Sequence, residues 1–354
     1  EPYFPRIDDL AIETQGPLRA TIRARGEMQS ASCTSLLRFV VRLSFFGDSN
    51  FVQMQITLHN PQAAHHARGL WDLGDEGSIY FKDFSLHIPL LTQGRPRIAW
   101  TSNALDSLSD CAAGDLEVYQ DSSGGENWRS TNHVNRFGQV THSFRGYRVT
   151  ANDRLVEDGH RATPTLAVAG TNGRVAVTIE QFWQNFPKTI EARGNELIVR
   201  LFPSQSNNGF ELQGGEQKTH RVYLQFAGPE EQQLDLAWTH DRLVPRATPE
   251  WYASTRACSY LSPLSNDADG ECDELINTAI EGSQSFFARR EIIDEYGWRH
   301  FGDLYADHEA VGHRGESPLV AHYNNQYDVI YGAVAAYLRG GEARWFELAR
   351  DLAR

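Results

Sequence analysis

The most constraining feature of this 354-residue chain is the unbroken alternation from Phe51 to Leu58. Val52, Met54, Ile56 and Leu58 fall on one side, and Gln53, Gln55 and Thr57 on the other. A period of two is the pattern of a strand with one buried face. It returns at Val175, Val177 and Ile179, and again at Val222, Leu224 and Phe226. Asn172-Gly173 separates Thr165–Ala169 from Arg174–Phe182 and predicts a hairpin, because both residues accept positive φ. Asn207-Asn208-Gly209 and Gly214-Gly215 mark further turns. Many strands, turns between them and little helical periodicity predict a large antiparallel β-sandwich over residues 1–245.

The pattern changes at Pro245–Pro249. Leu275, Ile276, Ala279, Ile280, Phe286 and Phe287 lie near a helical stripe. Tyr327, Ile330, Tyr331, Val334, Tyr337 and Leu338 follow the spacing of an amphipathic helix. Gly340-Gly341 suits its end, and Trp345, Phe346, Ala349 and Leu352 begin another helix after a very short turn. Helices joined so tightly are antiparallel neighbours, the unit of helical hairpin arrays. The fold class expected is multidomain β plus α: a supersandwich-like region, 1–245, then helical hairpins over 246–354. The chain stops at Arg354 within the last helical pattern, so the natural protein is expected to continue.

Charge narrows the partners. With 46 acidic and 33 basic residues the formal net charge is −13, a poor match for nucleic acid, whose binding rests on phosphate neutralisation. No run of about 18 apolar residues exists to span a membrane, and an anionic membrane surface would repel the chain. An anionic sugar needs a local cationic cleft. Thirty arginines against three lysines (Lys82, Lys188, Lys218) could supply one, since a guanidinium grips a carboxylate at two points. Cys33, Cys111, Cys258 and Cys272 match no metal-binding spacing. The types Asp303, Asp307, His308 and His313 suit Zn²⁺ or Ca²⁺, but their spacing matches no ligand pattern. No cofactor is expected; Ca²⁺ assistance stays open, as does the oligomeric state.

Four constellations hold the chemistry. Between the helical patterns, Glu291–Asn325 is long for a loop and rich in aromatics and histidine (His300, His308, His313, His322). Within it run Tyr296–Tyr305, with Trp298, Arg299 and His300, and then His322–Asp328, with Tyr323, Asn324, Asn325 and Tyr327. In the β region, Gly124–Trp128 precedes His133 and Arg136, and Gln181–Lys188 carries Trp183 and Lys188. The same residue types also serve structure. Asn324 and Asn325 suit a helix cap, His133 and Arg136 a solvated loop, and Trp183 a sandwich core.

These runs, with Gly16–Arg19, Arg145–Val149, Glu211–His220, Gly297–Glu309 and Tyr323–Asp328, resemble the exo-rhamnogalacturonan lyases of polysaccharide lyase family 26 and the YetA-like proteins. The resemblance implies a small β-barrel, a central β-sandwich and a C-terminal α/α toroid. Residues 246–354 would then be the toroid's first hairpins, cut short, with the barrel at most partly present before the sandwich. It also implies a lyase acting on an acidic polysaccharide or oligosaccharide such as rhamnogalacturonan.

Such a lyase removes the C5 proton of a uronic acid and expels the C4 oxygen. It needs a partner for the carboxylate, a base and an acid. Arg299, Arg136 and Asn325 are candidate neutralisers, His322, His300 or His133 the base, and Tyr327 or Tyr323 the acid. The expected catalytic set is His322, Tyr327, Arg299 and His300. The expected binding set is His133, Arg136, Asn324, Asn325, Tyr323, Trp298, Trp183 and Lys188. Two other classes remain open. A toroid-type glycoside hydrolase would use paired carboxylates from among Asp303, Asp307, Glu309, Glu316 and Asp328. A non-catalytic protein would bind acidic carbohydrate without turnover.

Overall fold

A computed structural model describes residues 1–65, 73–90, 94–228, 234–266, 270–305, 322–323 and 328–353. The chain divides into two compact units, 1–124 with 133–242, and 125–132 with 243–354.

In the first unit a nine-stranded sheet runs Tyr3–Gln15, Arg19–Ser30, Ser35–Phe46, Phe51–His59, Gln217–Ala227, Gly173–Ile179, Thr165–Gly170, Arg97–Thr101, Ser109–Cys111. A six-stranded sheet runs Arg154–Gly159, Tyr147–Ala151, Asp115–Gln120, Lys188–Arg193, Glu196–Phe202, Phe84–Pro89. Every strand pairing is antiparallel. Leu116, Val118, Ile190, Leu197 and Val199 of the smaller sheet and Ile56, Leu58, Leu166, Val177 and Val222 of the larger are buried, the sandwich-like core that the alternation predicts.

Register explains how burial varies along one face of the larger sheet. Ile12, Ile22, Leu43, Met54, Val222 and Ile179 are successive cross-strand neighbours. Val222 and Ile179 are fully buried, Met54, Leu43 and Ile22 are intermediate, and Ile12 is exposed. Nine strands outreach six, so the apolar face of the first strands extends past its cover. Val52 and Met54 are therefore only half-buried although they alternate with polar residues.

The predicted hairpin forms one residue earlier than read. Gly170 pairs with Gly173, so Thr171-Asn172 makes the two-residue loop.

The edge strand Tyr3–Gln15 carries Pro5, two register shifts and a charged face, features that discourage pairing with another chain. It is seated on Gly26. A Cβ there would stand 1.9 Å from the Arg6 carbonyl oxygen and 2.8 Å from the Phe39 ring. Gly26→Ala is expected to cost about 1–3 kcal/mol, as overpacking against backbone does. Thermal unfolding checks the loss, and faster proteolysis within Tyr3–Gln15 locates it.

The second unit is built from short helices. The stripe read across Leu275–Phe287 is two helices, Glu271–Asn277 and Phe286–Ile293, with Gly282 at positive φ between them. The Ser285 side chain caps the second by accepting from the Ala288 N–H at 3.2 Å. Val329–Gly340 and Ala343–Leu352 form the predicted tight pair, with Gly341 at φ 73° closing the first. That helix begins at Val329, where the Asp328 carboxylate accepts from the Tyr331 N–H and serves as its cap. Asp328 thus directly precedes the helix. Among the described residues no helix is long and apolar enough to cross a membrane.

Candidate functional site

The outward face of the six-stranded sheet is polar because its strands alternate. Glu117 and Tyr119 sit between Leu116, Val118 and Gln120, while Thr189 and Glu191 flank Ile190. The register then sets Glu117 directly opposite Glu191, and Tyr119 opposite Thr189. Like charges so placed repel. Gln205 offsets this by donating from Nε2 to Glu117 at 2.7 Å and to Glu191 at 2.8 Å. Arg200 donates to Glu191 and, through Nη1, to Asp83 at 2.8 Å. Burial, with Glu191 nearby, holds the Glu117 carboxyl above the usual range despite Gln205. Glu191 is 1 % exposed.

Further along that face the Tyr119 hydroxyl donates to Asp121 at 2.5 Å, and Asp121 also accepts from the Ser143 and Phe144 N–H groups at 2.6 and 3.0 Å. Burial and the Asp121 charge push the phenol pKa up. The segment so anchored places His142 beside His133, ring centres 5.3 Å apart, and Phe186 5.0 and 5.2 Å from the two imidazoles. Burial foremost, then His133, lowers the His142 pKa to about 3, against a hydrogen bond to the Asp121 backbone. His142 is therefore neutral at ordinary pH. Arg136 is exposed, its guanidinium 4.7 Å from the rings of Tyr80 and Phe137. The Trp183 ring carries the Arg161 guanidinium at 4.1 Å.

Lys188 departs from the sugar contact expected of it. It is fully buried, and its ammonium donates to the carbonyls of Asn185, Pro187 and Leu201 at 2.7, 3.2 and 2.7 Å. Its Nζ is taken up by three carbonyls, and burial, with Lys218 second, lowers its pKa well below the ordinary lysine value, so this side chain holds the chain together between strands and does not face a ligand.

In the second unit Trp298, Arg299 and His300 form a single helical turn, Gly297–His300, with the Arg299 guanidinium 4.5 Å over the Trp298 ring. His300 Nδ1 faces the Asp303 carboxylate at 3.5 Å, which turns Nε2 away from it. Two residue pairs then form a small antiparallel ladder, Leu304 opposite Tyr323 and Tyr305 opposite His322. The backbone thereby joins two constellations that lie far apart in sequence. Asn127 and Asn132 donate to the carbonyls of Glu291 and Asp294 at 3.4 and 3.0 Å, tying the 125–132 segment to the same unit. Tyr327, Asn324 and Asn325, with Asp307, His308, Glu309, His313 and Glu316, lie outside the described residues, as do the side chains of His322 and Tyr323. Among the described residues no group of three or more His, Cys, Asp or Glu is arranged to hold a metal ion.

His133, Arg136 and Trp183 thus fall in the first unit, and Trp298, Arg299 and His300 in the second. Sequence reading missed Glu117, Glu191, Gln205 and His142. The signal available was the polar half of each alternation, Glu117-x-Tyr119 and Thr189-x-Glu191; which strands lie side by side was not in it.

No curated protein sequence matches this chain. Solved structures do, at low similarity. A galactose mutarotase related enzyme from Lactobacillus acidophilus is 9 % identical with a TM-score of 0.30, over 64 % of this chain and 74 % of that one. A galactose mutarotase-like protein from Lactobacillus casei is 10 % identical with a TM-score of 0.28, over 62 % and 73 %. An alpha-galactosidase from Lactobacillus brevis is 8 % identical with a TM-score of 0.36, over 64 % of this chain but only 27 % of its own length. Residues 1–74, which include the first four strands of the large sheet, match the family model of the PcRGLX-like protein central beta sandwich domain.

Proposed function

We propose that this chain is part of a polysaccharide lyase that cleaves a uronic-acid polymer such as rhamnogalacturonan by β-elimination. The helices after residue 246 are, in this reading, the first hairpins of an α/α toroid. The observation that carries the assignment is His300 held by Asp303 next to Arg299, on a segment laddered to His322–Tyr323. The family match over residues 1–74 supports the substrate class.

The chemistry follows from the groups. The Asp303 carboxylate orients the imidazole through Nδ1, so His300 Nε2 takes the C5 proton of the uronate. Arg299 neutralises the sugar carboxylate and so stabilises the charge that develops on it. As the C4–O bond breaks and the C4=C5 double bond forms, the departing oxygen takes a proton from a phenol, Tyr323 or Tyr327. His322 shares the base role by its position in the ladder. Trp298, Asn324 and Asn325 contact the sugar being cleaved; His133, Arg136 and Trp183 are a separate set of sugar contacts on the first unit.

The Glu117–Glu191 pair favours a second reading, a glycoside hydrolase with Glu117, its carboxyl raised by burial, as the acid and Glu191 facing it as the second acidic residue. Against it, Glu191 is buried beneath Gln205 and bound to Arg200, so a glycosidic oxygen has no path to it. A non-catalytic sugar-binding protein would show affinity without turnover.

The test is incubation of the full chain with rhamnogalacturonan backbone, homogalacturonan and glucuronan, following the near-ultraviolet absorbance of an unsaturated uronide. Absorbance is expected to grow with at least one polymer, and His300→Ala to slow it about 100-fold or more. Saturated reducing ends without the chromophore would give the reaction to the hydrolase. A wild-type rate in His300→Ala would remove His300 from the base role.

A further inference from the structure

We propose that a cavity on the outward face of the nine-stranded sheet binds a neutral pyranose sugar, at a place separate from both groups of residues described above. The cavity has a volume of about 690 Å³, within the range of small-molecule sites, about 300–1,000 Å³.

Its construction follows from register. Ala169 faces Arg97 on one side and Arg174 on the other, and in the next row Ala167 faces Ala99 and Ala176. Asp110 in turn faces Ala99. Small side chains in the middle of three strands leave a trough, and Leu108, Leu234 and Leu236 wall it. The floor is solid: Ala167, Ala176, Tyr223 and Leu236 are buried together.

The rim is charged and uncommitted. Arg97, Arg174, Asp106 and Asp110 all line the cavity, yet among the described residues none of these four side chains makes a hydrogen bond or ion pair. Arg42 with Glu13 and Arg242 with Glu180 are ion pairs of the same unit; these four residues are not so engaged. Two cations and two anions line one hollow, with Ala169 between Arg97 and Arg174 and Ala99 opposite Asp110, so donors and acceptors for a polar ligand stand around an apolar trough.

The chemistry selects the occupant. A pyranose presents an apolar C–H face, which suits the alanine and leucine floor. Its hydroxyls both donate and accept, so adjacent ones are matched by a carboxylate and a guanidinium together. A uronate is disfavoured, because Asp106, Asp110 and Asp235 outnumber Arg97 and Arg174 on the lining. This site would hold an uncharged unit of a glycan, and it stands independently of the cleavage reaction proposed above.

Calorimetric titration of the full chain with L-rhamnose, D-galactose, D-glucose and D-galacturonate tests it, without any activity readout. Saturable binding of at least one neutral sugar is expected, with galacturonate at least tenfold weaker. Arg174→Ala should weaken that binding about tenfold or more, and Ala169→Trp, which fills the trough from a partly exposed strand position, should abolish it. His300→Ala should leave it unchanged. The proposal is overturned if no neutral sugar saturates, if galacturonate binds as well, or if binding survives Ala169→Trp in protein with a native unfolding transition.

Discussion

Arg290→Met is expected to lower the stability of the C-terminal unit by about 3–5 kcal/mol, the usual cost of breaking a buried ion pair from one side. Arg290, from the helix Phe286–Ile293, meets Asp351, from Ala343–Leu352, at 2.9 Å, and their side chains are 5 % and 2 % exposed. The guanidinium also lies 5.2 Å from the Phe301 ring and 5.5 Å from the Phe287 ring. Methionine keeps the aliphatic volume against those rings but takes a charge at 2.9 Å away from a carboxylate shielded from water. Desolvation of that carboxylate is then much less compensated, and Arg350 Nε, at 4.0 Å, is too distant to replace it. Removing both charges, as Arg290→Met with Asp351→Leu, should recover most of the loss, since an apolar pair of similar volume avoids the desolvation term. Chemical unfolding followed by tryptophan fluorescence, with Trp298 and Trp345 in this unit, separates the outcomes. A single variant that costs under about 1 kcal/mol would mean the pair is solvated.

The β part of the fold was legible because alternation and turn chemistry are local. Ile56, Leu58, Val175, Val177 and Val222 declare their face within a few residues, and each is indeed on an inward or half-covered face. What local pattern cannot carry is how far the second sheet extends, and so Met54 reads as core while lying under its edge. The helical part was legible where caps and periodicity agreed, as at Gly341. It was misread at Leu275–Phe287, where the apolar spacing continues through a chain reversal at Gly282; Ser285, a cap residue directly before Phe286, was the contrary signal. The excursion of 125–132 into the second unit rests on two asparagine amides reaching carbonyls more than 160 positions away. Nothing in the sequence around Asn127 or Asn132 declares that destination.

The site was legible as residue types and not as an arrangement. The clustering of Trp298, Arg299 and His300 in one stretch made them visible, and the ladder at Leu304–Tyr305 then brought His322–Tyr323 to the same backbone. Lys188 was judged by its charge alone. Its parity with Ile190 and Ala192 says that it points inward, where its ammonium is fully used by carbonyls. Glu117 and Glu191 escaped notice because each looks like an ordinary outward residue of its own strand. Only the antiparallel register turns two such residues into a facing pair.

That same interior predicts how the β unit responds to acid. Burial lowers the pKa of His240 to about 4 and that of His142 to about 3, and holds His220 well below its ordinary value beside Lys188 and Lys218. In the unfolded chain these imidazoles take up protons near pH 6.5. Between 6.5 and about 4 the unfolded state therefore binds more protons than the native one, and stability falls as pH falls. Above 6.5 the contribution of these three imidazoles is fully present; by pH 4 the loss from His240 and His142 together is on the order of several kcal/mol. Glu117 acts in the opposite sense, because its raised carboxyl gains from protonation in the folded state, but one carboxyl does not offset three imidazoles. The unfolding temperature should drop steadily from pH 7 toward pH 4 as these imidazoles lose their contribution. His240→Gln, which retains a partner for the Thr178 hydroxyl now 2.9 Å from the ring, should flatten the upper part of that descent, and adding His142→Asn should flatten it further. A wild-type unfolding temperature unchanged between pH 7 and 5 would contradict the neutral imidazoles, because a histidine already protonated in the native state contributes no such slope.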